Sequence, residues 1–60
     1  MIKLREMRLS KNMKVKDIAK LLQVSEVSIY YYENGKRKPD YLTLQKLAKI
    51  FECKVDDLID

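Results

Sequence analysis

Lys36, Arg37 and Lys38 form a tight run of positive charge, and three tyrosines, Tyr30 to Tyr32, stand just before them. Cations beside aromatic rings suit non-covalent grip on a polyanion, with hydroxyls and ring faces free to add contacts. Covalent chemistry has much less to work with. The chain has no histidine, so neither a Ser-His nor a Cys-His nucleophile pair can be assembled. Cys53 is the only cysteine, which leaves no internal disulfide and no four-ligand zinc site. One glycine, Gly35, is too few for a phosphate-cradling loop. No catalytic residue, metal site or cofactor is therefore expected, and the unpaired cysteine fits a reducing, cytoplasmic setting.

The charge is unevenly distributed. The 60 residues carry a net +4. Residues 1–39 hold ten Lys/Arg against four acids, and residues 40–60 hold three lysines against five acids. A small basic region in a chain of this size points to a polyanionic partner. Met1 to Arg8 is basic from the start and lacks the apolar run of a signal peptide. No stretch approaches the roughly 20 apolar residues of a membrane span. A membrane partner is not expected, and no small-molecule ligand is evident.

The elements that must position these residues read as all-α, within a single domain over 1–60. Apolar spacing predicts a first helix over about 2–11, ending at Lys11-Asn12. Val15, Ile18, Ala19 and Leu22 fall at i, i+3, i+4 and i+7, a second helix over 15–22. Gln23-Val24 leaves room only for a tight turn, and Ser25 is a good cap for a third helix over 26–33. Ile29 and Tyr32 form its inner stripe, and Asn34-Gly35 stops it. Asp40 caps a fourth helix over 41–51, with Leu44, Leu47, Ala48 and Phe51 on one face. Val55 to Ile59 allows one more turn, with Val55, Leu58 and Ile59 inward. No internal repeat is read. Helices this short do not persist alone in water, so one shared core must hold them.

A very short turn between helices 15–22 and 26–33 makes the pair cross steeply, and the second helix can then project into a DNA major groove. These residues resemble the helix-turn-helix of phage repressors and Cro-like regulators, also called the xenobiotic-response-element family. The matching segments are Met7-Arg8, Asp17-Ile18-Ala19 through Ser25, Ile29, Tyr32 through Pro39, Leu44 through Ala48, and Val55 through Leu58. They cover nearly the whole chain. The resemblance implies a compact, lambda-repressor-like domain of four to five helices. It also implies sequence-specific binding of double-stranded DNA by a transcriptional regulator, in the sense of a repressor, acting as a homodimer on a palindromic operator. It places Glu26, Val27 and Tyr31 at base edges and Ser28 at a phosphate. Asn34, Lys36, Arg37 and Lys38 fall on the loop that grips the sugar-phosphate chain. Arg8 and Glu33 fall on a pair that ties the first helix to the end of the third.

Helix geometry adds to this. With Ile29 and Tyr32 inward, positions 26, 27, 30 and 31 face outward, which brings in Tyr30 as a base contact. Glu26 can accept from cytosine N4, and Val27 can pack a thymine methyl.

The chain also departs from the family pattern. Val15 stands where many members carry a phosphate-touching glutamine, and Lys14 where they carry a Ser/Thr cap. Lys14, Lys16 and the free N–H groups of the helix start are expected to replace that backbone contact. Gln23 and Glu52 replace turn glycines, at up to about 1 kcal/mol each if left-handed. Cys53 is expected to pack among apolar neighbours. Leu9, Leu21, Tyr41, Leu42 and Ile50 exceed the needs of so small a core and suggest a subunit interface. Two other functions use the same fold: a DNA-binding antitoxin of a toxin–antitoxin pair, and a protein-interaction module.

Overall fold

A computed structural model describes residues 2–59. Five helices follow one another: α1 Leu4–Ser10, α2 Val15–Leu22, α3 Glu26–Glu33, α4 Tyr41–Ile50 and α5 Val55–Leu58. Each contributes one side chain with no solvent exposure: Leu4, Ile18, Ile29, Leu47 and Leu58. These five meet at the centre, and Val15, Ala19, Leu22, Ala48 and Phe51 fill the space around them. A buried aliphatic side chain of this kind stabilises by about 1.5–3 kcal/mol, which no single short helix could supply for itself.

The helix ends are built from a few repeated devices. Ser25 Oγ accepts from the Ser28 N–H at 3.2 Å, and Asp40 Oδ1 from the Thr43 N–H at 2.8 Å. That hydrogen bond holds the Asp40 carboxyl below the usual range. At α2 and α5 the cap residue is a lysine, and the closure runs the other way. Asp17 Oδ2 accepts from the Lys14 N–H at 2.9 Å, and Asp57 Oδ2 from the Lys54 N–H at 3.0 Å. An acid in the first turn also suits the positive end of the helix dipole.

The exits are equally regular. Asn12, Gln23, Gly35 and Glu52 have φ of 56°, 59°, 75° and 54°. After each, the next N–H turns back to a carbonyl five residues behind it: Met13 to Arg8 at 3.0 Å, Val24 to Ala19 at 3.0 Å, Lys36 to Tyr31 at 2.9 Å and Cys53 to Ala48 at 2.9 Å. This closes the free carbonyls of the last turn. Only one of the four positions is glycine, so Gln23 and Glu52 carry the left-handed strain expected of them.

Several sequence expectations need correction. A repeat does exist in structure, with only Ala19/Ala48 and Lys20/Lys49 identical between its two copies. Ile18-Ala19-Lys20-Leu21-Leu22-Gln23-Val24 and Leu47-Ala48-Lys49-Ile50-Phe51-Glu52-Cys53 build the same joint, with matching burial at the first two and the fifth positions. Ile59 is exposed rather than inward. It leaves α5 in extended conformation, forms an antiparallel bridge with Ile2, and lets Lys3 N–H reach Leu58 C=O at 2.7 Å. The same bridge explains why α1 begins at Leu4 and not at residue 2. Leu44 is half-buried, because its side of α4 lies beside Pro39, Gly35 and Tyr32 rather than against α2. Cys53 packs against the core edge. Burial, with Asp57 nearby, pushes its thiol up despite Lys11, so it stays protonated at neutral pH.

Candidate nucleic-acid interface

The outer face of α3 is set by Ile29. With that side chain buried, Glu26, Val27, Tyr30 and Tyr31 are left exposed. Val27 is 54% and Tyr30 49% exposed, large values for apolar-bodied side chains that a core could have taken. Tyr31 is the least open of the four, at 36%. Glu26 lies in the first turn of α3, where its charge also suits the helix dipole. Tyr32 is half-buried and packs against the core.

The loop after α3 is fixed at both ends. Gly35 supplies the left-handed exit, and Pro39 is buried at the far end. Between them Lys36, Arg37 and Lys38 are exposed, as is Asn34. The Tyr31 carbonyl accepts from both the Lys36 N–H at 2.9 Å and the Arg37 N–H at 3.3 Å. Lys36 and Arg37 are thereby brought beside the exposed face of α3, and Lys38 follows them in the loop.

Contacts that the sequence did not announce join the two. Lys36 Nζ lies 5.8 Å, and the Arg37 guanidinium carbon 5.4 Å, from the centroid of the Tyr31 ring. Both fall within cation–π range. Arg37 Nη1 also lies 3.4 Å from Ser28 Oγ, which shares a 3.1 Å hydrogen bond with Ser25 Oγ. Ser28 thus stands half-buried between the helix cap and the loop. The signal for this cluster was a tyrosine five and six residues before two cations, with the glycine between them.

At the back, Arg8 and Glu33 brace α3 against α1. Arg8 Nε donates to Glu33 Oε2 at 2.7 Å and Nη2 to Oε1 at 3.3 Å, a two-pronged contact. Arg8 Nη1 also donates to the Met13 carbonyl at 3.0 Å. The Glu33 side chain is 3% exposed, and Arg5 approaches it at 3.9 Å from solvent. Hydrogen bonding to Glu33 pushes the Arg8 guanidinium further above its already high value, against a smaller opposing effect of burial. Glu33 is the one buried charged residue among those described, and it is fully partnered.

Lys14 and Lys16 are exposed at the start of α2. Neither side chain makes an ion pair among the described residues. They share no bond with the loop, so α2 and the loop present their cations separately.

Comparison with known proteins gives consistent results. A family model described as helix-turn-helix matches residues 4–58, from the start of α1 to the end of α5. The HTH-type transcriptional regulator DdrOP3 of Deinococcus deserti is 36% identical over 58 residues. The HTH-type transcriptional activator BcrR of Enterococcus faecalis is 33% identical over 57 residues. An uncharacterized HTH-type transcriptional regulator of Archaeoglobus fulgidus is 30% identical over 56 residues. These alignments cover 97%, 95% and 93% of this chain. The chain spans 45% and 28% of the length of the first two relatives and 79% of the third.

Proposed function

The chain belongs to the helix-turn-helix family, of the phage-repressor and Cro-like type, and on that premise we propose that it binds double-stranded DNA in a sequence-specific way as a transcriptional regulator in the cytoplasm. The observation that carries this reading is the exposed row Glu26, Val27 and Tyr30 on α3, continuous with the cations of Lys36 to Lys38. Inserted in a major groove, α3 offers Glu26 to a cytosine amine, Val27 to a thymine methyl, and Tyr30 to ring and hydroxyl contacts. Ser28, the backbone at Asn34 and the three loop cations meet the sugar-phosphate chain on one side. Lys14, Lys16 and the first N–H groups of α2 meet it on the other. The Arg8–Glu33 pair holds α3 at a fixed angle while this happens.

The active form is a homodimer on a palindromic operator, and it represses by occupying that site. Leu9, Leu21, Tyr41 and Leu42 support the dimer, since each is more than half exposed and none lies on α3. The size of the domain supports it too. Its Cα extents of 24 × 23 × 18 Å allow two copies side by side to present two α3 helices about 34 Å apart, one turn of duplex.

Selection of bound duplexes from a random pool tests this directly. A two-fold symmetric consensus is expected for the wild type, and a consensus changed at one position per half-site for Glu26→Ala. No enrichment over the starting pool would remove the DNA-binding reading. An unchanged consensus in the variant would remove Glu26 from the base-reading set.

A further inference from the structure

We propose that Tyr31 acts as a positioning residue, an aromatic platform that holds Lys36 and Arg37 in place before DNA arrives, rather than as a reader of bases. The inference rests on the DNA-binding reading and assigns Tyr31 a different part in it. Three observations carry it. Both cations lie over the ring, at 5.8 and 5.4 Å from its centroid. The Tyr31 carbonyl accepts the N–H groups of the same two residues. Arg37 is also drawn to Ser28 Oγ, one turn of helix before Tyr31. A single residue therefore holds both the backbone and the side chains of Lys36 and Arg37. Its ring, less exposed than Val27 or Tyr30, is the one on this face that carries the loop cations.

The physical consequence is preorganisation. Free lysine and arginine side chains lose rotamer freedom when they close on a phosphate. Here part of that loss has already been taken in the free protein. On binding, Arg37 exchanges the long 3.4 Å contact with Ser28 for a charged phosphate oxygen, and the ring keeps its place beneath it. Tyr31 then affects how tightly every duplex is held and not which duplex is chosen. Choice is left to Glu26, Val27 and Tyr30.

Two variants separate these roles. Tyr31→Phe keeps the ring and removes the hydroxyl; Tyr31→Leu keeps apolar bulk and removes the ring. In the free protein, the Lys36 and Arg37 side-chain protons are expected to show upfield ring-current shifts in NMR spectra. Tyr31→Phe should retain them and Tyr31→Leu should lose them. Binding is then measured to the wild type's selected duplex and to a scrambled duplex of the same length. Tyr31→Phe is expected to match the wild type on both. Tyr31→Leu is expected to weaken both by the same factor, at most about 5- to 30-fold, the ceiling set by two exposed cation–π contacts that already order the loop in the free protein. Arg37→Ala should weaken binding less in the Tyr31→Leu background than in the wild type, a coupling that a separate base reader would not show. Absent ring-current shifts, an additive cycle, or a Tyr31→Phe loss confined to the selected duplex would each overturn the platform. A wild-type protein with the shifts in place that binds neither duplex overturns the DNA reading itself, and the platform's aiming role with it.

Discussion

The joint between α2 and α3 and the joint between α4 and α5 are the same piece of structure used twice. In each, a buried Ile-Ala or Leu-Ala pair is followed by a lysine, and a buried Leu22 or Phe51 closes the helix. Gln23 or Glu52 then takes the left-handed conformation, and the next N–H returns to the alanine carbonyl at 3.0 or 2.9 Å. Four residues into the next helix, Ile29 and Leu58 are both fully buried. What differs is the helix that follows. α3 runs for eight residues, shows Glu26, Val27, Tyr30 and Tyr31 to solvent, and is followed by a loop with three cations. α5 runs for four, carries Asp56 and Asp57, and completes the core. The joint therefore specifies the fold, and the outer face of the second helix specifies what the fold can bind. The same turn is no evidence for DNA binding by itself, since the α4–α5 copy faces acids.

The largest test of this equivalence is in the core. Ile29→Ala and Leu58→Ala should each destabilise by about 2–5 kcal/mol, enough to unfold most of a 60-residue domain. Urea titrations are expected to give similar losses for the two. A Leu58→Ala variant as stable as the wild type would show that α5 is an appendage and the equivalence is superficial.

The next test exploits an asymmetry. Among the described residues only the α3 side is braced by an ion pair, so Glu33→Ala should leave Arg8 without its main partner and destabilise by up to about 3–5 kcal/mol. The loss should persist at high salt, because the pair is shielded from screening. A melting temperature unchanged by the substitution would mean that α3 is held by its apolar contacts alone.

A smaller effect comes from the joints themselves. Gln23→Gly and Glu52→Gly each relieve a left-handed non-glycine residue, and each should stabilise by up to about 1 kcal/mol. That amounts to a rise in melting temperature of about 4–8 °C for a domain of this size. Unequal shifts would sharpen the comparison by showing that one joint is strained by its surroundings and the other is not.

Much of this organisation could be read from the residues. The bounds of α2 and α3 follow from the apolar spacing of Val15 to Leu22 and from Ser25, because cap and periodicity agree there. The left-handed turns at Gln23 and Glu52 are suggested only by the resemblance, in which both positions are turn glycines, and the φ angles of 59° and 54° bear that out. Other features depend on tertiary contacts. Ile59 continues a helical pattern, yet pairs with Ile2 because the two ends of the fold meet. Leu44 keeps helical register with Leu47, but register does not say which neighbours lie opposite. The Tyr31 cluster is hidden for a similar reason. Residues five and six apart are not neighbours on a helix, and the loop cations reach the ring only because Gly35 turns the chain back. The repeated joint escapes notice because only its alanine and lysine recur in identity, while the other positions conserve apolar or polar character and conformation.

Positive charge acts at one address in this molecule. Lys36 and Arg37 lie beside Tyr31 of α3 and Lys38 follows them in the loop, whereas Lys46 and Lys49 stand on α4 and Lys54 in the turn after it, and all six are exposed. Replacing either set of three by alanine removes the same net charge. Binding to the selected duplex should be measured across a salt series for the wild type and both triple variants. The loop variant is expected to lose about 2–3 from the slope of log K against log salt, with a large fall in affinity, while the other variant keeps the wild-type slope. Equal effects from the two sets would contradict the account, for they would show that DNA feels only the net charge of the molecule.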